Sequence, residues 1–539
     1  MPSDEGITGS AQAMSTQQDN DGLISGNSVA AVNSAARSII RLIQCPQCSR
    51  PFNDALRLPC GRSLCRACLP PTHRREYVTY PPIAGREEGF KCPFNAQFVQ
   101  SHPEPVRSRY WATKLRPCNA EHSLDDCRHD ITLNNIVSAF KEVLGKGQGI
   151  KSGAIDDAHA IGLVGTYALA ERGELPYQSA SNIEDPDNAA SPVVADAAYI
   201  SLTNSIQAEL NCQLCFSLFM DPITTTCGHT YCRSCLSRAL DQSNLCPFCR
   251  KELYIAYTIQ SEPGNACISE ILRTLAGDAL RDRVQAFNVE GLGYSEFTTL
   301  PLFITTLGFP TMRVFLHVFE MRYRALIQHA LSSGDKRFGL VMPNRARASY
   351  GSAQRHQFKS YGTMMLIERA EDFPDGRILV RAKGTSRFRI LDTTRTTEGY
   401  ILGQVQRVED IPITEEETLE LTETRDFSPI ALGGAATYSP YDRMSTEELF
   451  NITKDYIREC REKGLPWITQ RTLDAYGHPP TSAATYPYWV AALLPIPRQE
   501  RYILLKTRSV RQRLKITAAW VKKLRSSEWS TEARPYTVL

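Results

Sequence analysis

Seven cysteines and one histidine between Cys212 and Cys249 constrain this chain more tightly than anything else in it. Cys212 and Cys215 stand two residues apart; eleven residues later come Cys227, His229, Cys232 and Cys235, and ten residues after those Cys246 and Cys249. Eight donors make two tetrahedral sites, and thiolate with imidazole is the donor set that zinc prefers. Each ion is filled by four protein ligands, so it shapes the fold and leaves no open position for a metal-bound water. Apparent zinc-binding energy of roughly 10–16 kcal/mol per structural site is folding energy too, so losing a ligand unfolds such a module.

Cysteine usage also fits a reducing compartment. Fifteen of the 17 cysteines fall into two clusters, Cys45 to Cys127 and Cys212 to Cys249, and their CxxC pairs read as metal sites in a reducing environment. Cys267 and Cys460 stand alone and read as buried small residues. No run approaches the roughly 20 apolar residues that span a bilayer, and Met1 to Asn33 lacks the apolar centre of a signal peptide. The sequence therefore predicts a cytosolic or nuclear protein with no membrane contact. A formal charge of +3 over 539 residues gives no electrostatic argument for nucleic acid.

In their combined order the ligands of the second cluster resemble those of the RING finger. That resemblance implies a cross-brace: Cys212, Cys215, Cys232 and Cys235 on one zinc ion, Cys227, His229, Cys246 and Cys249 on the other. Gly228 and Pro247 fit the same pattern. RING fingers of the ubiquitin system have no nucleophile of their own; they hold a ubiquitin-charged conjugating enzyme in a reactive arrangement, a positional rate gain. By resemblance, Leu214 and Pro247 would form the apolar patch that docks the conjugating enzyme. Arg250 would bridge that enzyme and ubiquitin through its forked donors. One departure weakens the patch: Ala239, followed by Leu240, stands where many active members carry Trp.

The first cluster repeats the spacing with damage. Cys45, Cys48, Cys60, Cys65 and Cys68 match, but Arg62 stands where His229 does and Asn95 where Cys249 does. Cys45, Cys48, Cys65 and Cys68 keep one zinc site; Cys60 and Cys92 are two ligands short, and a permanent cation without a usable lone pair cannot stand in. Either the second ion is absent or Cys118, His122 and Cys127 supply the missing donors, and the chemistry of two unpaired thiols favours the latter. The copy reads as a scaffold or partner-binding unit, with Arg74 and Arg75 solvated.

From Leu300 the run LPLFITTLGFPTMRVFLHVFEMRYRALI, then GTSRFRIL, GYILGQVQRVED and YWVAALLPIPRQERYILLKTRSVRQRLKI, resembles the N-terminal, substrate-recognition domain of Lon proteases over about residues 297–526. The resemblance implies a PUA-like β-rich half followed by a helical half. Residues 411–485 look expanded, and their acidic, Pro- and Gly-containing composition predicts a surface loop carrying a helix, with Ser445 and Glu448 as a capping box. Phe319, Glu320, Arg322 and Tyr323 read as local packing more than as substrate contacts. Ten Lys/Arg against one acidic residue in 498–525, with Val510, Leu514, Val521 and Leu524 on one face, predict a packed helix with a solvated basic side. No phosphate loop is present: Gly145 to Ser152 carries Ile150 where glycine is required, which argues against an ATP-dependent protease.

The expectation is a multidomain α+β protein of the Lon N-terminal domain and RING finger family. Its expected parts are a disordered segment (1–38), a degenerate RING-like zinc module with a closing helix (39–150) and a linker with helical pieces (151–205). After them come a RING finger (206–255), a helical connector (256–296), a Lon N-terminal-type domain (297–526) and a tail (527–539). The implied function is a RING-type ubiquitin-protein ligase needing zinc, a conjugating enzyme, ubiquitin and an unknown protein target. The rival is a zinc-binding scaffold that tethers partners without transferring ubiquitin.

Overall fold

A computed structural model of the chain describes residues 26–76, 78–80, 86–101, 117–145, 162–177, 197–253, 258–289, 297–344, 358–425 and 439–526. The expected lead segment up to residue 25, the sequence from 146 to 161 that includes the start of the linker, the linker residues 178–196 and the tail from 527 lie outside the described residues. Within the lead segment one correction follows. A helix spans Gly26–Arg41, and Ala36, Ile39 and Ile40 enter the core, so residues 26–38 are not an unstructured lead.

Each zinc module is built on a short antiparallel hairpin. Ala55–Arg57 pairs with Ser63–Cys65, and Pro222–Thr224 pairs with Thr230–Cys232, in matching register (Ala55 opposite Cys65, Pro222 opposite Cys232). Each is followed by a helix with its own cap. Asp130 Oδ1 accepts from Leu133 N (3.0 Å) ahead of the helix Ile131–Gly145, and Asn265 Oδ1 accepts from Ile268 N (3.1 Å) ahead of the helix Ala266–Leu275.

Each helix begins by crossing to the other module. Asp130 N donates to Ala55 O (2.9 Å) in its own hairpin, while the next residue, Ile131, donates its N–H to Gly228 O (3.2 Å) in the second module. Asn265 N donates to Pro222 O (2.8 Å), and Ala266 N to Gly61 O (3.0 Å) in the first. The two caps meet: Asn265 Nδ2 donates to the fully buried Asp130 carboxylate at Oδ2 (2.5 Å). Gly61 (φ 86°) and Gly228 (φ 90°) are required twice over. Both sit in the left-handed region, and a Cβ would collide with Gly264 O and His129 O respectively. The two modules are thus related by a pseudo-twofold arrangement and share one apolar core, running from Ala36 to Leu272. The segments read as linker and connector are part of it: Leu163, Tyr167 and Leu202 are buried with Ile268 and Ile271.

The C-terminal half is a β-barrel plus helices. Its strands run in the order Arg313–Val318, Ile378–Arg395, Phe358–Asp372, Arg337–Pro343, Phe297–Ile304, Ile401–Val408, and the last pairs back to Ile378–Arg395 to close five of them into a barrel. Phe297–Ile304 and Arg337–Pro343 are parallel; the other pairings are antiparallel. The stretches ILVRA and RFRIL lie in one strand with irregular register, Ile378–Arg395, and RVFLHV forms the edge strand Arg313–Val318.

The described parts of the expansion, 411–425 and 439–485, are not a surface loop. Leu449, Phe450, Ile457 and Leu473 join Trp489, Leu504 and Leu514 in a second core, and the helix Thr446–Glu462 starts on the Ser445/Glu448 capping box. The acidic helix Ile413–Arg425 buries Glu416, Glu417 and Glu420. Glu423 on it, with Asp410 before it and Asp442 after it, explains why the basic side of the last helix is not solvated as expected. Arg511 pairs with Glu423 (2.5 Å), Arg513 holds both oxygens of Asp410 (2.6 and 2.6 Å), and Lys515 bridges Glu423 and Asp442 (2.7 and 2.8 Å). Arg75 is likewise buried rather than solvated, bound to Glu417 Oε2 at 2.6 Å, and Arg86 joins the same carboxylate. Buried charges of this kind persist only when paired. With Asp241, which bridges Arg337 (3.1 Å) and Arg407 (2.9 Å), these pairs bolt the barrel half to the zinc modules.

Candidate metal centres

Four clusters each bring four ligand atoms within 4.8 Å of one another: Cys45, Cys48, Cys65, Cys68; Cys60, Cys92, Cys118, His122; Cys212, Cys215, Cys232, Cys235; and Cys227, His229, Cys246, Cys249. A zinc–sulfur bond of about 2.3 Å gives a tetrahedron whose edges are about 3.8 Å. The observed edges fit: Cys60 to Cys92 and Cys215 to Cys232 are both 3.9 Å, and Cys246 Sγ lies 3.8 Å from His229 Nδ1. As free thiols these groups would have to divide protons among themselves. The contact with Cys65 holds Cys45 down at about 5, while the same contact, with burial added, pushes Cys65 up. A dication at the centre favours the thiolate at all four positions. Two S4 and two S3N sets, closed by protein donors, are the chemistry of structural zinc.

The local backbone explains why the ligands converge. In both modules a hairpin sulfur accepts a backbone N–H, Asn53 N to Cys65 Sγ and Met220 N to Cys232 Sγ, each at 3.2 Å. Asp54 and Asp221 occupy the left-handed region (φ 51° and 48°), and their carbonyls accept from Arg66 N and Arg233 N (both 3.0 Å). The turn that presents the middle ligands is therefore the same object twice.

What differs is the source of two donors at the Cys60, Cys92, Cys118, His122 site of the first module. Arg62, in the position of His229, is buried; it donates to Phe94 O (3.2 Å) and stacks over the Phe94 ring at 4.7 Å. Asn95, in the position of Cys249, accepts from Phe98 N (3.0 Å) and caps a short helix. Their places as donors fall to Cys118 and His122. Pairing of Glu88–Lys91 with Glu121–Ser123, extended by Cys92 N to Ala120 O (3.1 Å) and Cys118 N to Phe94 O (2.8 Å), carries them back to Cys60 and Cys92. Cys127, grouped with them as a candidate, is not in the cluster. Its buried Sγ is directed at Ser123 O (3.5 Å), and burial pushes its thiol up to about 12. A short 3-10 turn, Leu124–Asp126, turns the chain away before it.

Each RING cluster has an exposed aromatic residue beside a ligand: Phe248, next to Cys249, is 63% exposed with its ring 4.7 Å from that of His229, and Phe216, next to Cys215, is 86% exposed. Pro247 and Arg250 are exposed as well, Arg250 at φ 60°, and Leu214 is half-buried. Leu240, in contrast, is buried as core. Sequence reading missed Phe216 and Phe248, although their place next to ligands was the available signal.

Comparison with known proteins agrees with this geometry. Residues 211–249 match the family model for the zinc finger, C3HC4 type (RING finger), and residues 298–523 match that for the ATP-dependent protease La (LON) substrate-binding domain. The class is therefore a zinc-binding RING finger joined to a Lon-type substrate-binding domain. A LON peptidase N-terminal domain and RING finger protein of Schizosaccharomyces pombe is 26% identical over 504 residues, covering 90% of this chain and 94% of that protein. The postreplication repair E3 ubiquitin-protein ligase rad18 of Aspergillus fumigatus is 39% identical over 51 residues, 10% of this chain and 12% of that one. Among solved structures, a Lon N-terminal domain protein from Xanthomonas campestris is 22% identical, with 41% of this chain and 98% of that chain covered and a TM-score of 0.26. The chain thus carries both domain matches and is similar over most of its length to a LON peptidase N-terminal domain and RING finger protein. It is a zinc-binding protein, and among the described residues no helix is long and apolar enough to cross a membrane.

Proposed function

We propose that this chain is a RING-type ubiquitin-protein ligase that takes four zinc ions and works as a bridge. The RING engages a ubiquitin-charged conjugating enzyme, and the Lon-type domain brings a protein target. Cys212, Cys215, Cys232 and Cys235 hold one ion, Cys227, His229, Cys246 and Cys249 the next. Cys45, Cys48, Cys65 and Cys68 hold a third, and Cys60, Cys92, Cys118 and His122 the fourth. The ions supply rigidity. The chain's own residues do the rest: Leu214, Pro247 and the exposed Phe216 and Phe248 offer apolar contact to the conjugating enzyme, and Arg250 offers a fork of donors beside them.

The observation that carries this reading is the exposed apolar surface beside Arg250, on a module whose interior is otherwise closed. Rate gain by such a protein is positional, so no catalytic nucleophile is required. The rival, a scaffold without transfer activity, predicts the same zinc content and differs at Arg250. Purified chain is incubated with ubiquitin, activating enzyme and a panel of conjugating enzymes. Chain formation by wild type, lost in Cys227→Ala and strongly reduced in Arg250→Ala with its melting temperature unchanged, is the expected result. Wild-type activity no higher than that of the two variants would leave the scaffold reading standing.

A further inference from the structure

The helix Gly277–Val289 follows the RING and lies against Ser217–Leu218, with Leu280 and Val284 packed on the shared core. From it Arg283 reaches the cluster Cys212, Cys215, Cys232, Cys235: its Nη2 lies 3.1 Å from Cys215 Sγ and 3.8 Å from Cys232 Sγ. This is the wrong kind of neighbour for a zinc ion in simple electrostatic terms, a cation within a few ångströms of another. It becomes the right kind once the ligands are counted. Four thiolates around one Zn²⁺ leave the site with a net charge of −2, whereas three thiolates and an imidazole leave −1. A partly buried dianion is costly without compensation, and N–H donation to a ligand sulfur spreads that charge without competing for the metal.

We infer that Arg283 is a charge-compensating partner of this zinc site, anchoring the helix that leads into the Lon-type domain to the thiolates of the RING and slowing loss of that ion. Both contacts come from Nη2 of a planar, permanently charged guanidinium, which is more weakly hydrated and better pre-organised than a flexible, strongly hydrated ammonium. Met220 N and Cys232 N supply further donors to Cys232 and Cys212 sulfurs (3.2 and 3.5 Å), so the Arg283 contact completes a set of N–H groups around the site. Partners of this rank around a metal are commonly worth tenfold or more in affinity. The inference rests on the reading that the cluster holds zinc.

The test uses the full chain as wild type, Arg283→Gln and Arg283→Lys, each loaded with zinc and challenged with excess chromogenic chelator and a thiol alkylating agent. Alkylation is followed cysteine by cysteine by peptide mass spectrometry. In Arg283→Gln, Cys215 and Cys232 should be modified about tenfold faster than in wild type. Cys48 and Cys68 of the other all-cysteine site and Cys60 and Cys246 should stay within about twofold, and Arg283→Lys should fall between the two proteins. Unchanged rates at Cys215 and Cys232 would overturn the inference, and so would an equal rise at all four clusters, which is the mark of general loosening. A wild-type chain whose Cys215 reacts as fast as a free thiol would instead sink the zinc reading on which the inference stands.

Discussion

The two zinc modules share a hairpin, a left-handed aspartate, a glycine and a capped helix, and yet they present opposite faces to solvent. Each contains the tripeptide Cys-Pro-Phe, at Cys92–Phe94 and Cys246–Phe248. In the first, Phe94 is 2% exposed beneath Arg62; in the second, Phe248 is 63% exposed beside His229. Gln47 stands where Leu214 does between the first two ligands. The comparison teaches that a metal framework and a docking surface are separable. The first module keeps the framework by importing Cys118 and His122, and turns its aromatic side chain inward. The second keeps the aromatic side chain outward.

The strongest way to break this comparison is to remove an imported ligand. Cys118→Ser should lower the zinc content from four ions to three by elemental analysis and forfeit metal-linked folding energy on the order of 10 kcal/mol. Because the core is shared, the loss should reach the RING as well, read as proteolysis at both modules. A smaller effect follows at the pseudo-twofold contact. Asn265→Leu removes a helix cap and strands the buried Asp130 carboxylate, whose pKa burial already raises. We expect a loss of about 3 kcal/mol in one cooperative thermal transition. Two separate transitions would mean that the modules are independent after all.

Arg62→His asks whether the missing RING ligand can be restored. The fourth site is already filled from elsewhere, so the zinc content should remain four, and loss of the contacts to Phe94 should cost about 1–2 kcal/mol. Five zinc ions, or release of His122 from the cluster by histidine NMR, would contradict it. A further effect concerns the barrel half, where Glu409 accepts from Gln260 N (2.8 Å) beside Arg407. Burial holds this carboxyl up at about 7, against 4.5 for an ordinary glutamate. The folded state therefore binds the proton more tightly, and the stabilisation present below pH 4.5 is lost as pH rises through about 7. Glu409→Gln should gain stability relative to wild type between pH 5 and 8, a window set by that raised value. Taking the difference between the two proteins cancels the pH dependence of zinc binding that they share; a flat difference would remove Glu409 from the account.

Ligand spacing made the framework legible, since a CxxC pair leaves few geometries open, and residue type alone was enough to point to Cys118 and His122. Cys127 misled because spacing does not report where a sulfur points. The pairing of the two modules was illegible for a different reason. Asp130 and Asn265 each read as an ordinary cap, and nothing local says that two caps so far apart in the chain share a hydrogen bond. Charge was misjudged in the same way. Arg75, Arg511, Arg513 and Lys515 look like solvated cations until Glu417, Glu423, Asp410 and Asp442 are placed beside them. Arg313–Val318, the strand outside the closed barrel, is hard to read from sequence because only Leu316 and Val318 of its six residues are buried.

The exchange of helix starts has a consequence for biosynthesis. The first module has all its metal ligands once His122 has been made, but Gly61 O does not meet its partner until Ala266 emerges, about 140 residues later. At elongation rates of about 5–20 residues per second, that is a wait of roughly 7–30 s. During it, thiols and apolar surface destined for the shared core stand open beside the ribosome. Zinc captured early by Cys45, Cys48, Cys65 and Cys68 would hold the nascent hairpin in shape until its other half arrives.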